Sequence, residues 1–366
     1  MVIVIYISGH GFGHAARVTQ VVNALARLEP AVSIVIRASV PEWFLRTSLQ
    51  PPAAIAPCET DTGVVQHDGL SIDEDETARR AAAFYDGFAA HVERERQFLV
   101  DRGAAIVVGD IPPLAFATAH AAGVPSIAIS NFTWDWIYAG LPEFDRLAPG
   151  VRRRITDANA LATVGLRLPF HGGFESMPHI EDVPLVARHA AVSRNETRRR
   201  LGLPQSRPTV LATFGGHRGA IPLDRAADNG SFLLVATDFE VDHSAPVHPN
   251  LRVVTANELT RAGLSYTDLL AACDVVVTKL GYGIVSECIA NSVALLYSPR
   301  GRFVEQEVFI REMPAVLRCR MIGQDDLRKG RWTESVEALL AQPQPAGSMP
   351  TNGAETAAAK ILSFRS

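Results

Sequence analysis

The segment Asp274-Val275-Val276-Val277-Thr278-Lys279-Leu280-Gly281-Tyr282-Gly283-Ile284-Val285-Ser286-Glu287 passes from a strand through a glycine turn into a helix. Its first five residues have the length and β-branched content of a buried strand, and Lys279 to Gly283 follow as a glycine-punctuated turn. Ile284, Val285, Cys288 and Ile289 then recur at helical spacing, with Ser286 and Glu287 expected in the first helical turn. A second strand over 293–297 leads to Pro299-Arg300 and a polar loop reaching Glu305-Gln306. Gly281 and Gly283 would let a ligand approach the backbone. The unpaired N–H groups and positive dipole end of the helix favour an anion such as a diphosphate. In such a site Glu287 would accept hydrogen bonds from a ribose diol, and Gln306 would present its amide to sugar hydroxyls. An acidic residue near a helix start also has a purely structural use, since it stabilises the dipole by roughly 0.3–1 kcal/mol.

Outward from this segment the chain alternates strand and helix. Strands are expected over 2–8, 32–37, 105–108 and 125–129, with helices over 15–28, a long charged 74–102, and 115–122. From 168 to 184 the texture turns to Pro, Gly and His with little periodicity, marking a connection. A basic helix over 194–201, strands over 209–214, 232–237 and 251–254, and a final helix over 353–364 complete the plan. At 366 residues two domains are the prior expectation. The chain divides into a first α/β domain over 1–170 completed by the helix 353–366, a connection over 171–205, and a second α/β domain over 206–345.

Composition limits the function classes. With 47% hydrophobic and 20% charged residues the chain reads as globular, and a net charge of −4 gives no reason to expect nucleic acid or an anionic membrane as a partner. No apolar stretch approaches the roughly 18–20 residues of a membrane span, and residues 1–7 read as a first strand rather than a leader. Cys58, Cys273, Cys288 and Cys319 lack metal-site spacing and read as reduced residues of a cytoplasmic protein. No metal site is expected: Asp73 and Asp75 have Asp-x-Asp spacing but fall in an acidic, solvated loop. A homodimer is left open.

Gly9-His10-Gly11-Phe12-Gly13-His14 stands between the first strand and first helix, where a nucleotide loop would sit. Its third glycine is one place early for a dinucleotide fingerprint, and the second strand ends in Arg37 rather than an acid. An NADP-dependent oxidoreductase, with Arg37 on the 2′-phosphate, is therefore a minor alternative. A histidine at the loop mouth suits general-base chemistry, with a carboxylate behind it to hold its tautomer. His14 and Asp110, at the C-terminal edge of a later strand, fill these roles. Asp135 is the second choice of carboxylate and His10 the second choice of base.

These residues resemble the GT-B glycosyltransferases, above all the N-acetylglucosaminyltransferases of peptidoglycan synthesis. In that family a Gly-rich loop with a His ends the first strand, a Gly-Gly turn follows the first strand of the C-terminal domain, and a strand–turn–helix unit ending in Glu binds the nucleotide-sugar. Gly9 to His14, Phe214-Gly215-Gly216-His217 and Gly281 to Glu287 match these parts. Tyr6 to His14, Ser130-Asn131-Phe132-Thr133-Trp134-Asp135-Trp136-Ile137-Tyr138 and Lys279 to Glu287 are more closely similar to the glycosyltransferase-like N-terminal region of plant-type L-arabinokinases. The sequence lacks the Gly/Ser-rich phosphate loop of the kinase half, so sugar phosphorylation is not expected.

The resemblance implies two Rossmann-like domains with parallel sheets facing a central cleft, and a last helix that returns to the first domain. It implies a metal-independent, inverting glycosyltransferase, without a cofactor, that moves a sugar from a nucleoside-diphosphate sugar, UDP foremost, to a hydroxyl of a small-molecule acceptor. The donor set is Gly13, Gly215, Gly216, His217, Arg218, Lys279, Gly281, Tyr282, Gly283, Ser286, Glu287, Arg300 and Gln306, with Arg218 or Lys279 as the cation. His10, Asp61, Gln66, Asp68, Trp134 and Asp135 are the acceptor set, and Trp136 is a further stacking surface. A nucleotide-sugar 2-epimerase, suggested by the polar turn His217-Arg218, and a non-catalytic nucleotide-sugar-binding module are the alternatives.

Overall fold

The computed structural model describes residues 1–68, 70–215, 221–228, 230–241 and 248–364, with the side chains of His67 and Asp68 left aside. Two parallel sheets organise it. The first has seven strands in the spatial order Ala54–Pro57, Ser33–Ala38, Val2–Ile7, Ala104–Asp110, Ser126–Phe132, Val164–Gly172 and Ile180–Asp182. The second has six, in the order Leu251–Val254, Leu233–Thr237, Thr209–Ala212, Val275–Lys279, Ala294–Ser298 and Cys319–Met321. A two-stranded antiparallel hairpin, Val65–Asp68 with Ser71–Asp73, stands apart from both.

Helices cover both faces of each parallel sheet, so the central strands read as continuous apolar runs. Val275, Val276 and Val277 are completely buried, and each fully buried valine stabilises the fold by roughly 1.5–3 kcal/mol before entropy is subtracted. Within each sheet the strand order reverses beside its first strand, Val2–Ile7 and Thr209–Ala212 respectively. Open α/β sheets bind ligands at the carboxyl ends of strands at such a reversal, so the two glycine loops stand where ligands are expected.

The strands and helices read from the sequence are present, with two differences. The long charged helix is two helices, Glu74–Asp86 and Phe88–Arg102, parted at Gly87. The first helix starts at Gly11 rather than Ala15, so the glycine loop is already its first turn. Asp73 is not a solvated loop residue: it caps the helix Glu74–Asp86 by accepting from the Glu76 backbone N–H, while Asp75 pairs with Arg79 and Arg146.

The last helix, Gly353–Leu362, lies along the first helix, Gly11–Leu28. Its buried face is Ala354, Ala357, Ala358 and Ile361, mostly small residues that allow close approach, and Arg27 and Glu355 pair at the surface rim at 2.9 Å. Its start is fixed by backbone. Val186 and Asn352 form an isolated antiparallel bridge, and a Cβ placed on Gly353 would lie 2.0 Å from the Pro184 carbonyl oxygen and 2.8 Å from the Leu185 carbonyl carbon. Backbone cannot step aside as a flexible side chain can. Gly353→Ala is expected to destabilise the fold by about 1–3 kcal/mol in urea titrations. Gly323→Ala, where a Cβ meets nothing within 4 Å, is expected to stay within about 0.5 kcal/mol.

Candidate functional site

Between the two sheets lies a cleft of about 740 Å³ lined by both glycine loops. The loops meet across it, for a Cβ on Gly283 would lie 3.7 Å from the Gly13 Cα. On one wall, His14 and Asp110 are brought together as expected: His14 Nδ1 is 2.9 Å from Asp110 Oδ1. His14 lines the cleft while Asp110 is fully buried behind it.

Arg17, one helical turn after His14, was not anticipated. Its Nε and Nη2 donate to the two oxygens of Asp110 at 2.7 and 2.6 Å, and Nη2 also donates to Ser130 Oγ at 3.1 Å. Both hydrogens of Nη2 are thereby engaged, so the 3.0 Å approach of Nη2 to His14 Nδ1 is not a donation to the imidazole. The consistent assignment puts the proton on Nδ1, donating to Asp110, and leaves Nε2 with the lone pair. Burial opposes ionisation of Asp110, but Arg17 and His14 outweigh it and hold the carboxyl below its usual range.

Arg17 also reaches into the other half of the molecule. Its Nη1 donates to Asn131 Oδ1 at 2.8 Å, Asn131 Nδ2 donates to Glu305 Oε1 at 2.7 Å, and the guanidinium lies 4.7 Å from the Tyr282 ring centroid. Glu305 and Tyr282 both follow strands of the second sheet. His10 lines the cleft beside these groups, its Nδ1 accepting from the Val64 backbone N–H at 3.4 Å. Burial first, then the neighbouring Arg300, His14 and Lys279, lower its pKa well below the ordinary histidine value.

On the opposite wall the helix Tyr282–Ala290 starts at Gly281 without a side-chain cap and with no acidic residue in its first turn. Its first N–H groups have no partner within the helix and can meet an anion. Gly215, at φ 78°, also borders the cleft, as does Lys279, whose Nζ donates to Gln66 Oε1 at 3.3 Å. Glu287 is in the second turn, not the first, and lines the cleft. Arg188, from the segment between the sheets, donates to its Oε1 at 2.6 Å. Burial raises the Glu287 pKa, and Arg188 offsets this only in part.

Several expected residues lie elsewhere. Gln306 does not face the cleft: its Oε1 accepts from the Arg300 N–H, and its Nε2 lies within bonding distance of the carbonyls of Arg300, Gly301 and Phe303. The amide that would serve sugar hydroxyls instead ties its own loop. Ser286 donates to the Gly283 carbonyl at 2.8 Å and is buried. Trp134 is buried, with its indole N–H on Asp61 Oδ2 at 2.8 Å, and Asp61 also accepts from Ser8 at 2.9 Å. This pair supports the loop from beneath. Asp135 bonds Thr156 and Asn159 and, with Trp136, borders a different surface hollow. Gly216, His217 and Arg218 lie outside the described residues, as does the side chain of Asp68. Arg37, the residue an NADP site would need, is instead held by Glu95 through its Nε and Nη2.

The rim carries aromatic residues not singled out from the sequence. Phe12 and Phe44 line the cleft with ring centroids 4.8 Å apart, and Trp43 stacks on Phe239 from the other half at 6.4 Å.

No family model matches the chain. Among curated proteins it is 32% identical to the L-arabinokinase of Arabidopsis thaliana over 98% of this chain and 34% of that one. It is 29% identical to the peptidoglycan N-acetylglucosamine transferase of Clavibacter michiganensis over 60% of this chain and 58% of that one. The chain thus spans about a third and under two thirds of those relatives. A solved spinosyn rhamnosyltransferase complexed with thymidine diphosphate superposes with a TM-score of 0.60 over 99% of this chain and 95% of that one, at 14% identity. The architecture is GT-B. Its homologues include L-arabinokinase and glycosyltransferases, and its structural neighbours are GT-B glycosyltransferases.

The state of Asp110 makes a pH-dependent prediction for this GT-B chain. A carboxyl whose folded pKa is depressed binds fewer protons folded than unfolded, so its contribution to stability is full above its unfolded pKa of about 4 and lost as pH falls through the lower folded value. Unfolding free energy measured from pH 6 to pH 3 should fall more steeply in the native chain than in Asp110→Asn, and equal slopes would contradict the assignment.

Proposed function

We propose that the chain is a glycosyltransferase that moves a sugar from a nucleoside diphosphate to a hydroxyl of a small-molecule acceptor, with inversion. The observation that carries this reading is the His14–Asp110 pair facing the uncapped start of the helix Tyr282–Ala290 across one cleft. Glycosyltransferase-type homologues and neighbours support the class of reaction. The proposed domains are 1–170 with the helix 353–366 for the acceptor and 206–345 for the donor, joined by 171–205.

In the proposed step His14 Nε2 takes the acceptor O–H proton, and Asp110 stabilises the imidazolium that results. The acceptor oxygen bonds to the anomeric carbon from the face opposite the nucleotide. The carbon–oxygen bond to the β-phosphate breaks, and its electron pair leaves on the phosphate oxygen. The helix start at Gly281–Gly283, the backbone at Gly215 and the ammonium of Lys279 meet that charge, so the reading assigns leaving-group stabilisation to fixed dipoles and a side-chain cation. Glu287, oriented by Arg188, is the proposed ribose acceptor. His10 is the weaker choice of base, because its Nδ1 lone pair already accepts the Val64 N–H. The aromatic rim of Phe12 and Phe44 is proposed as an apolar contact for the acceptor.

UDP is the nucleotide of first choice because the peptidoglycan relative is named for a UDP-sugar, and TDP is second because a neighbour is complexed with it. A cytoplasmic location remains part of the reading. His14→Ala is expected to lower turnover about 10²–10⁴-fold while the dissociation constant of the nucleoside diphosphate changes less than about threefold. Sugar transfer followed by release of nucleoside diphosphate, with calorimetry for binding, measures both. Undiminished turnover in the variant would remove His14 as the base.

A further inference from the structure

Arg300 lines the cleft and has no part in the proposed step. Arg300 is only 7% exposed, yet among the described residues none of its three guanidinium nitrogens makes a hydrogen bond to protein. Its Nε is buried and unpartnered, and the nearest carboxylate oxygen, Glu305 Oε2, is 3.8 Å from Nη2, an ion pair without a hydrogen bond. The guanidinium rests over the Phe303 ring at 4.3 Å from its centroid. Burial lowers the pKa of Arg300, and Glu305 only partly opposes it.

A guanidinium whose Nε is buried without a partner, and whose other donors meet only the cleft, is costly unless something completes it. Its backbone is nevertheless fixed, because the Gln306 amide both accepts from the Arg300 N–H and donates to the Arg300 carbonyl. The loop is therefore built to hold this cation at the cleft wall. Arg300 stands on the His10 side: Phe303 stacks on His10 with centroids 6.4 Å apart, and Arg300 is the foremost charge acting on His10, ahead of His14 and Lys279. The diphosphate has its own apparatus at Gly215, Lys279 and Gly281–Gly283. The anion missing from Arg300 is thus a second one, close to the base and to the sugar being transferred.

We propose that Arg300 is the specificity residue for a carboxylate carried by a sugar substrate, so that the site takes a uronic acid in preference to the neutral hexose. A planar carboxylate matches the guanidinium fork, and such charge-assisted pairs are worth about 10- to 100-fold in binding. The inference rests on the glycosyltransferase reading and specifies its substrate class.

The test is calorimetric binding to the full chain of UDP, UDP-glucose, UDP-glucuronate and UDP-galacturonate, with the TDP-sugars in parallel. Free glucose and glucuronate are then titrated onto the chain saturated with nucleoside diphosphate. A preference of about tenfold or more for the uronate is expected in one arm, and that arm identifies the carboxylate as the donor's or the acceptor's. Arg300→Gln should abolish the preference, with a loss of affinity for the uronate at least about tenfold greater than any loss for UDP alone. Its melting temperature should stay close to native, because the largely buried charge that is removed makes no hydrogen bond to protein and only a long ion pair to Glu305. Arg300→Lys, which retains charge without the fork, should keep part of the preference and covers failure of the first variant to fold. Three results would overturn the proposal: nucleotide binding with no uronate preference in either arm, a preference that survives Arg300→Gln, or equal loss of UDP affinity in that variant. If no nucleoside diphosphate binds at all, it is the glycosyltransferase reading that fails, and this inference with it.

Discussion

The buried pairing of Arg17 with Asp110 is the interaction on which the rest of the cleft depends. A guanidinium and a carboxylate that are each almost wholly inaccessible to water are stable only when their remaining donors and acceptors are met. Here His14, Ser130 and Asn131 meet them. The geometry that satisfies the pair also fixes the imidazole, because Arg17 uses its hydrogens on Asp110 and Ser130 and leaves His14 Nδ1 to donate. Removing Arg17 would leave an uncompensated carboxylate at the C-terminal edge of the first sheet.

The same guanidinium links the two halves. Asn131 carries the hydrogen-bond chain to Glu305, and Tyr282 lies beneath the Arg17 cation. Tyr282 opens the helix whose N-terminus is the proposed anion site, and Glu305 closes the loop that presents Arg300. The residues that would activate an acceptor and those that would hold a donor are therefore in direct mechanical contact. Their relative position is set by side chains that pack and bond across the cleft.

Periodicity and turn chemistry made the fold legible. Buried parallel strands such as Val275–Lys279 announce themselves as β-branched runs, and the first strand of each sheet is followed by glycines. The break at Gly87 was less visible, because charged residues continue at helical spacing on both sides of it. The candidate site was legible where a residue stands at the end of a strand or in the first turns of the helix that follows one, as with His14, Asp110 and Gly281 to Gly283. It was not legible for long side chains whose partners are remote. Arg17 and Arg188 read as ordinary surface charges until the tertiary structure brings Asp110 or Glu287 to them. Gln306 and Trp134 fail because their polar groups are already satisfied, by the carbonyls of one loop and by Asp61 respectively, and Trp134 is buried, so they have nothing to offer a ligand. Only the three-dimensional count of donors and acceptors separates these cases.

His14 presents a free Nε2 lone pair to the cleft because Asp110, held by Arg17, keeps the proton on Nδ1. Long-range nitrogen–proton correlation NMR of the ¹⁵N-labelled chain at neutral pH, with the His14 signal assigned by its disappearance in His14→Gln, measures this directly. A protonated, pyrrole-type Nδ1 and an unprotonated, pyridine-type Nε2 are expected. A neutral imidazole carrying its proton on Nε2 would contradict this assignment.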